Sequence, residues 1–169
     1  MPNVNISQLA NLIIRDEIDT AVMIVTRPFS PTDIPFITKI VKKSLGETYP
    51  PSLYLTVHNL WREGFLVVQD DGDIVGFVAT VPSGPKVARV LMLAILQEKR
   101  KRSLGRTLME ELRSSCLAKG YDTVILEVRK SNKEAITFYE RQGFSLYGEI
   151  REFYTNGEDA YKMMKVLQT

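Results

Sequence analysis

Histidine and cysteine are almost missing from this chain: His58 and Cys116 stand alone among 169 residues. A single cysteine excludes a disulfide framework and any cysteine-based zinc site, and it fits a reducing compartment. A single histidine excludes His-rich metal sites and a second catalytic histidine, so no metal is expected. No segment reaches the ~20 apolar residues of a membrane span. A surplus of charge is lacking too, with 22 basic and 20 acidic residues for a net charge of +2. That balance excludes DNA binding by bulk charge, so any basic function must be local. The opening "MPNVNISQLANLIIRDEID" carries acidic residues and no basic leader, and does not read as a signal or transit peptide. Repeats and low-complexity segments are absent. What is present is ordinary: 44% hydrophobic and 25% charged residues, enough chain for one domain with a real core. The expectation is a single-domain, cytoplasmic protein without membrane contact.

Periodicity and punctuation divide the chain. Ser7 to Asp19 reads as a short helix, and "AVMIVTR", Ala21 to Arg27, as a strand. "SPTD" offers Ser30 as cap, Pro31 at the first helical position and Asp33 as the return acid of a helix ending at Gly46. A second helix is expected over Ser52 to Glu63. "FLVVQ" and "IVGFVATV" flank Asp71-Gly72, a strong hairpin signal. Val87 to Leu96 is apolar enough for a strand buried on both faces. A helix over Leu104 to Lys119 stops at Gly120, Thr123 to Val128 is a strand, and "NKEAITFYERQ" is a helix. "FSLYGEIREFY" and "DAYKMMKVL" read as antiparallel strands. The order implies an α/β (α+β) fold with a mixed sheet.

The stretch that asks for an explanation is "LQEKRKRSLGRTLMEEL", Leu96 to Leu112. Four cations lead into a helix start, where free N–H groups and the macrodipole already carry positive charge. A helix N-terminus of this kind suits an anion, with Arg100, Arg102 and Arg106 around it and Gly105 allowing close approach. Three readings stay open: a pyrophosphate cradle, a solvated cationic turn, or a short nucleic-acid patch. The stretch lacks the P-loop pattern and the three glycines of a dinucleotide fingerprint.

"RKRSLGRTLM" resembles the acetyl-CoA loop of the GNAT acyltransferases, with Arg100, Ser103 and Gly105 on its three fixed positions. Ser103 replaces the usual glycine. A longer block, "ILEVRKSNKEAITFYERQGF" from Ile125 to Phe144, resembles the central motif of N-terminal acetyltransferases. "SLGETYPPSLY" and "FYTNGEDAYKM" are similar to substrate-side segments of the archaeal and eukaryotic NatA-type catalytic subunits; the bacterial RimI type shares the centre but less of the flanks. The resemblance covers about Ala21 to Leu167. It implies a GNAT domain over 21–169, with a splayed central strand pair and helices on both faces, preceded by a helical extension over 1–20.

The resemblance also implies residue roles. The family reaction is attack of an amine on an acetyl thioester, which needs a neutral amine, donors for an oxyanion and a proton for the departing thiolate. Glu127 falls on the base position, acting through water, and Tyr139 on the general acid. Acetyl-CoA would contact Leu93, Ala94, Ile95, Arg100, Lys101, Arg102, Ser103, Leu104, Gly105, Arg106, Asn132 and Tyr139. Glu47, Tyr49 and Tyr154 would face the substrate, with Glu47 on a position favouring small first residues. The residues alone leave plainer roles open: Glu127 as an outward strand residue, Tyr139 as core, Asn132 as a helix cap, Glu47 as a loop acid. Gly46, Arg89 and Phe153 depart from the relatives' proline, histidine and tyrosine. The implied activity is transfer of acetyl to protein N-termini in the cytoplasm by a monomer or weak dimer, with ribosome association open and no specific nucleic acid. The alternatives are a GNAT enzyme acting on lysine or a small amine, and a non-catalytic RNA- or ribosome-binding module. Cys116 and His58 receive no role.

Overall fold

The computed structural model describes residues 23–168. The helix expected over Ser7 to Asp19, and with it the 1–20 extension, lies outside the described residues. β1 (Ile24–Pro28) leads through a 3-10 turn to α1 (Ile34–Leu45) and α2 (Pro51–Leu60). β2 (Phe65–Asp70), β3 (Asp73–Gly84) and β4 (Val87–Ile95) precede α3 (Leu104–Lys119). β5 (Thr123–Arg129), α4 (Lys133–Arg141), β6 (Ser145–Ile150) and β7 (Ala160–Val166) complete the order that periodicity implies.

Local chemistry sets most of the boundaries. The Ser30 N–H donates to the Asp33 carboxylate at 2.8 Å, closing a capping box ahead of α1. α1 and α3 end on Gly46 (φ 67) and Gly120 (φ 87), left-handed positions that terminate a helix without Cβ strain. α2 is shorter than expected. It stops at Leu60 because Trp61 is extended, and Gly64 lies so close beneath the indole that a Cβ there would sit 2.1 Å from the ring. The expected strand over Phe144 to Tyr154 is also shortened. Glu152 takes a positive φ of 51°, and its N–H donates to the Asp159 carboxylate at 2.9 Å. That turn lifts Phe153 and Tyr154 off the sheet into a loop.

The seven strands form one sheet in the order β1-β2-β3-β4-β5-β7-β6. Only β4 and β5 run parallel, the pairing that needs a helical crossover, here α3. Helices cover both faces. Ile37, Ile40, Val41, Tyr54 and Val57 of α1 and α2 pack on Phe65, Val67, Phe77 and Ala79. Leu104, Leu108, Leu112 and Cys116 of α3, with α4, pack on Leu66, Val78, Val90, Leu126 and Met163. Burial pushes the Cys116 thiol up to about 12, so it packs as an inert hydrophobe. The α1–α2 core includes no residue of β5. Strand alternation therefore leaves Ile125, Glu127 and Arg129 on a face those helices do not cover.

Candidate active site

The site begins where the sheet opens. β4 and β5 pair from Val87–Val90 against Thr123–Leu126 and then part. Beyond that point β4 continues along β3 and β5 along β7, so two backbone edges face one another without a ladder. The parting coincides with a bulge: Val90 opposes Thr80 and Met92 opposes Ala79, leaving Leu91 unmatched. Leu91 is 39% exposed, which corrects the expectation that this strand is buried throughout. The extra residue also inverts the alternation. Leu93 and Ile95 turn to the α3 side and Met92 and Ala94 to the α1 side. Unpaired N–H and C=O groups along the opened edge need partners.

The basic run lies at the end of β4, and its cations divide among different tasks. Lys99 Nζ reaches the Asp70 carboxylate at 3.0 Å and Arg102 Nη1 reaches it at 2.6 Å; the Asp70 side chain is only 6% exposed. Lys99 foremost, then Arg102, hold the Asp70 carboxyl below its usual range against the pull of desolvation. Arg100 folds back, its Nε donating to Ile95 O at 3.1 Å. Arg106 pairs with Glu110 along α3 at 3.0 Å. Among the described residues Lys101 alone of the four has neither an ion pair nor a side-chain hydrogen bond. Arg102, expected beside a phosphate, is held here by Asp70, which balances part of the positive charge crowded at this helix end.

The backbone of the same loop is shaped for an anion. Lys101 (φ 65) and Ser103 (φ 59) are both left-handed, a conformation costing roughly 1 kcal/mol or more for a residue with a Cβ. The first helical bond is donated by Thr107 to Ser103 O at 3.0 Å, so the N–H groups of Leu104, Gly105 and Arg106 precede it and remain to be satisfied. Gly105 also serves a second contact, between helices. A Cβ there would meet the Phe138 ring at 3.2 Å, so the glycine seats α4 against α3.

Glu127 and Tyr139 lie beside the opened strands. Glu127 Oε2 accepts from Arg89 Nε at 3.0 Å, with the Glu127 side chain 13% exposed. Arg89 stands on the paired part of β4, opposite Ile125, so the guanidinium reaches the carboxylate from the neighbouring strand. Tyr139 is buried on α4, edge-on to Phe138 and Phe144. Burial first, then nearby Tyr154, pushes its phenol well above the ordinary value, so it keeps its proton throughout the neutral range. Asn132 accepts from the Ala135 N–H at 3.1 Å, a helix cap.

Glu47, Tyr49 and Tyr154 are brought together by a residue that sequence reasoning missed. Arg129 contacts Glu47 at 3.5 Å, Glu158 at 3.0 Å and Asn156 at 3.2 Å, and lies 3.9 Å above the Tyr154 ring. It ties the α1–α2 loop to the β6–β7 loop across the uncovered face of β5. The Tyr49 hydroxyl donates to Glu47, and burial together with that carboxylate pushes the phenol up to about 12. Burial also raises Tyr154, with Glu127, Glu158 and Glu47 adding to it and Arg129 opposing. Glu127, Tyr139, Tyr154 and Glu47 thus converge, whereas Arg106 and Asn132 are engaged along their own helices. The signal for Arg129 was available: Glu127 and Arg129 are two apart in an alternating strand and so share a face. Asp70 gave no such signal, because "QDDGD" reads as a solvated turn.

A model of the acetyltransferase (GNAT) family matches residues 34–144. The chain belongs to this family. The N-alpha-acetyltransferase of Saccharolobus solfataricus is 32% identical over 80% of this chain and 88% of its own. Ard1 from Thermoplasma volcanium superposes with a TM-score of 0.83 at 34% identity, over 86% of this chain and 99% of the other. The ribosomal-protein-S18-alanine N-acetyltransferase of Escherichia coli gives a TM-score of 0.75 at 26% identity, over 87% and 96%. The mixed seven-stranded sheet is the GNAT fold, and membership makes this protein an acetyl-CoA-dependent acetyltransferase. The residues present fit that co-substrate: an opened strand edge for an amide-bearing arm, and free helix N–H groups for a pyrophosphate. Among the described residues no three His, Cys, Asp or Glu side chains gather as a metal site. No helix of the described residues is long and apolar enough to cross a membrane.

Proposed function

We propose that this GNAT protein acetylates the N-terminal α-amine of proteins, with Glu127 as base and Tyr139 as acid. The observation that carries the proposal is that Glu127, just past the parting of the strands, and Tyr139 both neighbour Tyr154, which lies under Arg129 beside Glu47. An α-amine has a pKa of ~7.7–8.0 against ~10.4 for lysine, so a fraction of it is neutral at pH 7. The site does little to hold an ammonium. Glu47 and Glu158 share Arg129, which leaves one negative charge among the three, and Glu127 carries Arg89. A polyamine pocket would need free carboxylates, and the acids here are paired.

When bound, acetyl-CoA supplies the activated acetyl thioester. The Glu127 carboxylate takes the proton of the incoming amine through water. N–H groups of the opened β4 edge, from Leu93 to Ile95, hold the oxygen that gains charge. Tyr139, kept protonated by burial, delivers its proton to the departing sulfur. The N–H groups of Leu104, Gly105 and Arg106 and the loop backbone from Arg100 to Ser103 hold the pyrophosphate, and Asn132 and Tyr139 border the pantetheine arm. Glu47, Tyr49 and Tyr154 wall the peptide slot. The flanking segments Ser44–Tyr54 and Phe153–Met163 support a NatA-type enzyme, acting in the cytoplasm on small first residues near the ribosome.

The test is incubation with acetyl-CoA and a mixed peptide set, with acetyl groups located by mass spectrometry. Peptides with free Ser, Ala, Met-Leu and Met-Glu N-termini are offered beside N-blocked peptides with internal lysines. Acetyl is expected on free N-termini, Ser and Ala foremost. Acetyl confined to lysine would overturn the assignment.

A further inference from the structure

Glu127 stands between two cations, one on each neighbouring strand. On β4, Arg89 pairs with Ile125 of β5, and Ile125 shares a face with Glu127 because the two alternate along one strand. On β7, Lys162 lies directly opposite Glu127, so its side chain stands on that face too. The carboxylate has gone to one of them. Glu127 Oε2 accepts from Arg89 Nε at 3.0 Å, whereas Lys162 Nζ stands 4.7 Å from the centre of the Tyr147 ring on β6. Lys162 has no carboxylate within 4 Å among the described residues. A third cation, Arg129, lies two residues further along β5, where Glu47 and Glu158 engage it.

The direction matters because the two neighbouring strands lead to different places. β4 parts from β5 beyond Val90 and Leu126, and its opened edge is the one assigned to the reaction. β7 stays paired with β5 from Thr123 to Arg129 and offers no opening. Arg89 falls two residues short of the level of Glu127, roughly 8 Å from it at Cα. Its side chain therefore reaches forward past the last paired residues to meet the carboxylate.

We infer that Arg89 is a positioning residue for the base: it turns the Glu127 carboxylate toward the opened strand edge and away from Lys162. The inference rests on the reading of Glu127 as base. Arg89 takes Oε2 and leaves Oε1 to receive the amine's proton through water. A guanidinium suits the task, since its planar fork fixes direction as well as charge. Stability alone is a weak account of the pair, because the Arg89 side chain is 34% exposed and solvent screens such contacts.

The test is steady-state kinetics with acetyl-CoA and a peptide carrying a free Ser N-terminus, read as release of CoA. Arg89→Met should lower kcat about tenfold or more, because a displaced catalytic group loses rate steeply. Both KM values and the melting temperature should hold, and Arg89→Gln serves if the Met variant does not fold. Lys162→Met alone should leave kcat near wild type. Added to Arg89→Met, it should restore kcat about threefold, because the carboxylate loses its alternative partner. A contact that only stabilised the fold would not respond to removal of a second cation. In a Glu127→Gln background, Arg89→Met should cost nothing further, since Arg89 acts through Glu127. Unchanged kcat in Arg89→Met overturns the inference, as does an equal loss with and without Glu127. No recovery on adding Lys162→Met overturns it too. Each of these leaves the reading of Glu127 as base intact. Glu127→Gln as active as wild type would instead remove that reading and this inference with it, as would a wild type that releases no CoA with any free N-terminus.

Discussion

Two groups of cations frame the site, and they behave in opposite ways. Lys99 to Arg102 are conspicuous in the sequence, yet two of them close on Asp70 and a third on the Ile95 carbonyl. Their contacts hold a loop with two left-handed residues in one shape, ahead of the free N–H groups that open α3. Arg129 stands in an ordinary strand and meets Glu47, Glu158, Asn156 and the Tyr154 ring at once. The first group builds one loop from within, whereas the second joins two loops distant in the chain. A cation's prominence in a sequence therefore says little about its task; the acceptor it finds decides.

Substitutions can separate the two regions. Tyr139 lies between them, and Tyr139→Phe removes a proton donor while keeping the ring. Its kcat should fall about 100-fold or more, with an unchanged melting temperature. Unchanged single-turnover rates would take Tyr139 out of the acid's role. Arg129→Met unties the substrate-side loops and should lower kcat/KM for the peptide by about tenfold to a hundredfold. The KM for acetyl-CoA should hardly move, and an equal rise in both constants would blur the distinction drawn above.

Asp70→Asn is the converse. The loop loses its anchor, and the KM for acetyl-CoA should rise about fivefold while the peptide KM stays. The same residue governs part of the acid limb. Its carboxyl is held below the unfolded value of ~3.9, so the stability it contributes is complete above that value and disappears as pH falls through the folded one. Acid unfolding of the Asn variant should be correspondingly shallower, as circular dichroism would show. Ser103→Gly carries the smallest effect. Relief of a φ of 59° should stabilise by about 1 kcal/mol at most, because glycine also adds freedom to the unfolded chain. A fall in melting temperature would mean that the Ser103 side chain supports the loop.

Most helices and strands were legible because their signals are local. Gly46 and Gly120 end helices, Asp71-Gly72 turns a hairpin, and apolar spacing from Leu104 to Cys116 faces one core. Misreadings occurred where a distant contact intervened. α2 stops early over Trp61 and Gly64, and β6 is cut short by the Glu152 turn that Asp159 holds. Gly105 likewise has a distant neighbour that its motif does not announce, the Phe138 ring. The site residues were named through motif resemblance, and their partners were not, since Arg89 with Glu127 and Arg102 with Asp70 are separated by 38 and 32 positions.

By itself the sequence determined the order of elements from β1 onward, the apolar spacing that faces the core and the charged turn before α3, since each follows from spacing, backbone freedom and capping over a few residues. Only the tertiary structure decided where β4 leaves β5, which carboxylates the basic run closes on, and that Arg129 gathers Glu47, Glu158 and Tyr154 around one point. Those outcomes depend on which strand edges and side chains meet across tens of residues. Local propensity carries no information about such meetings; the bulge at Leu91 and the insertion of β7 beside β5 create them.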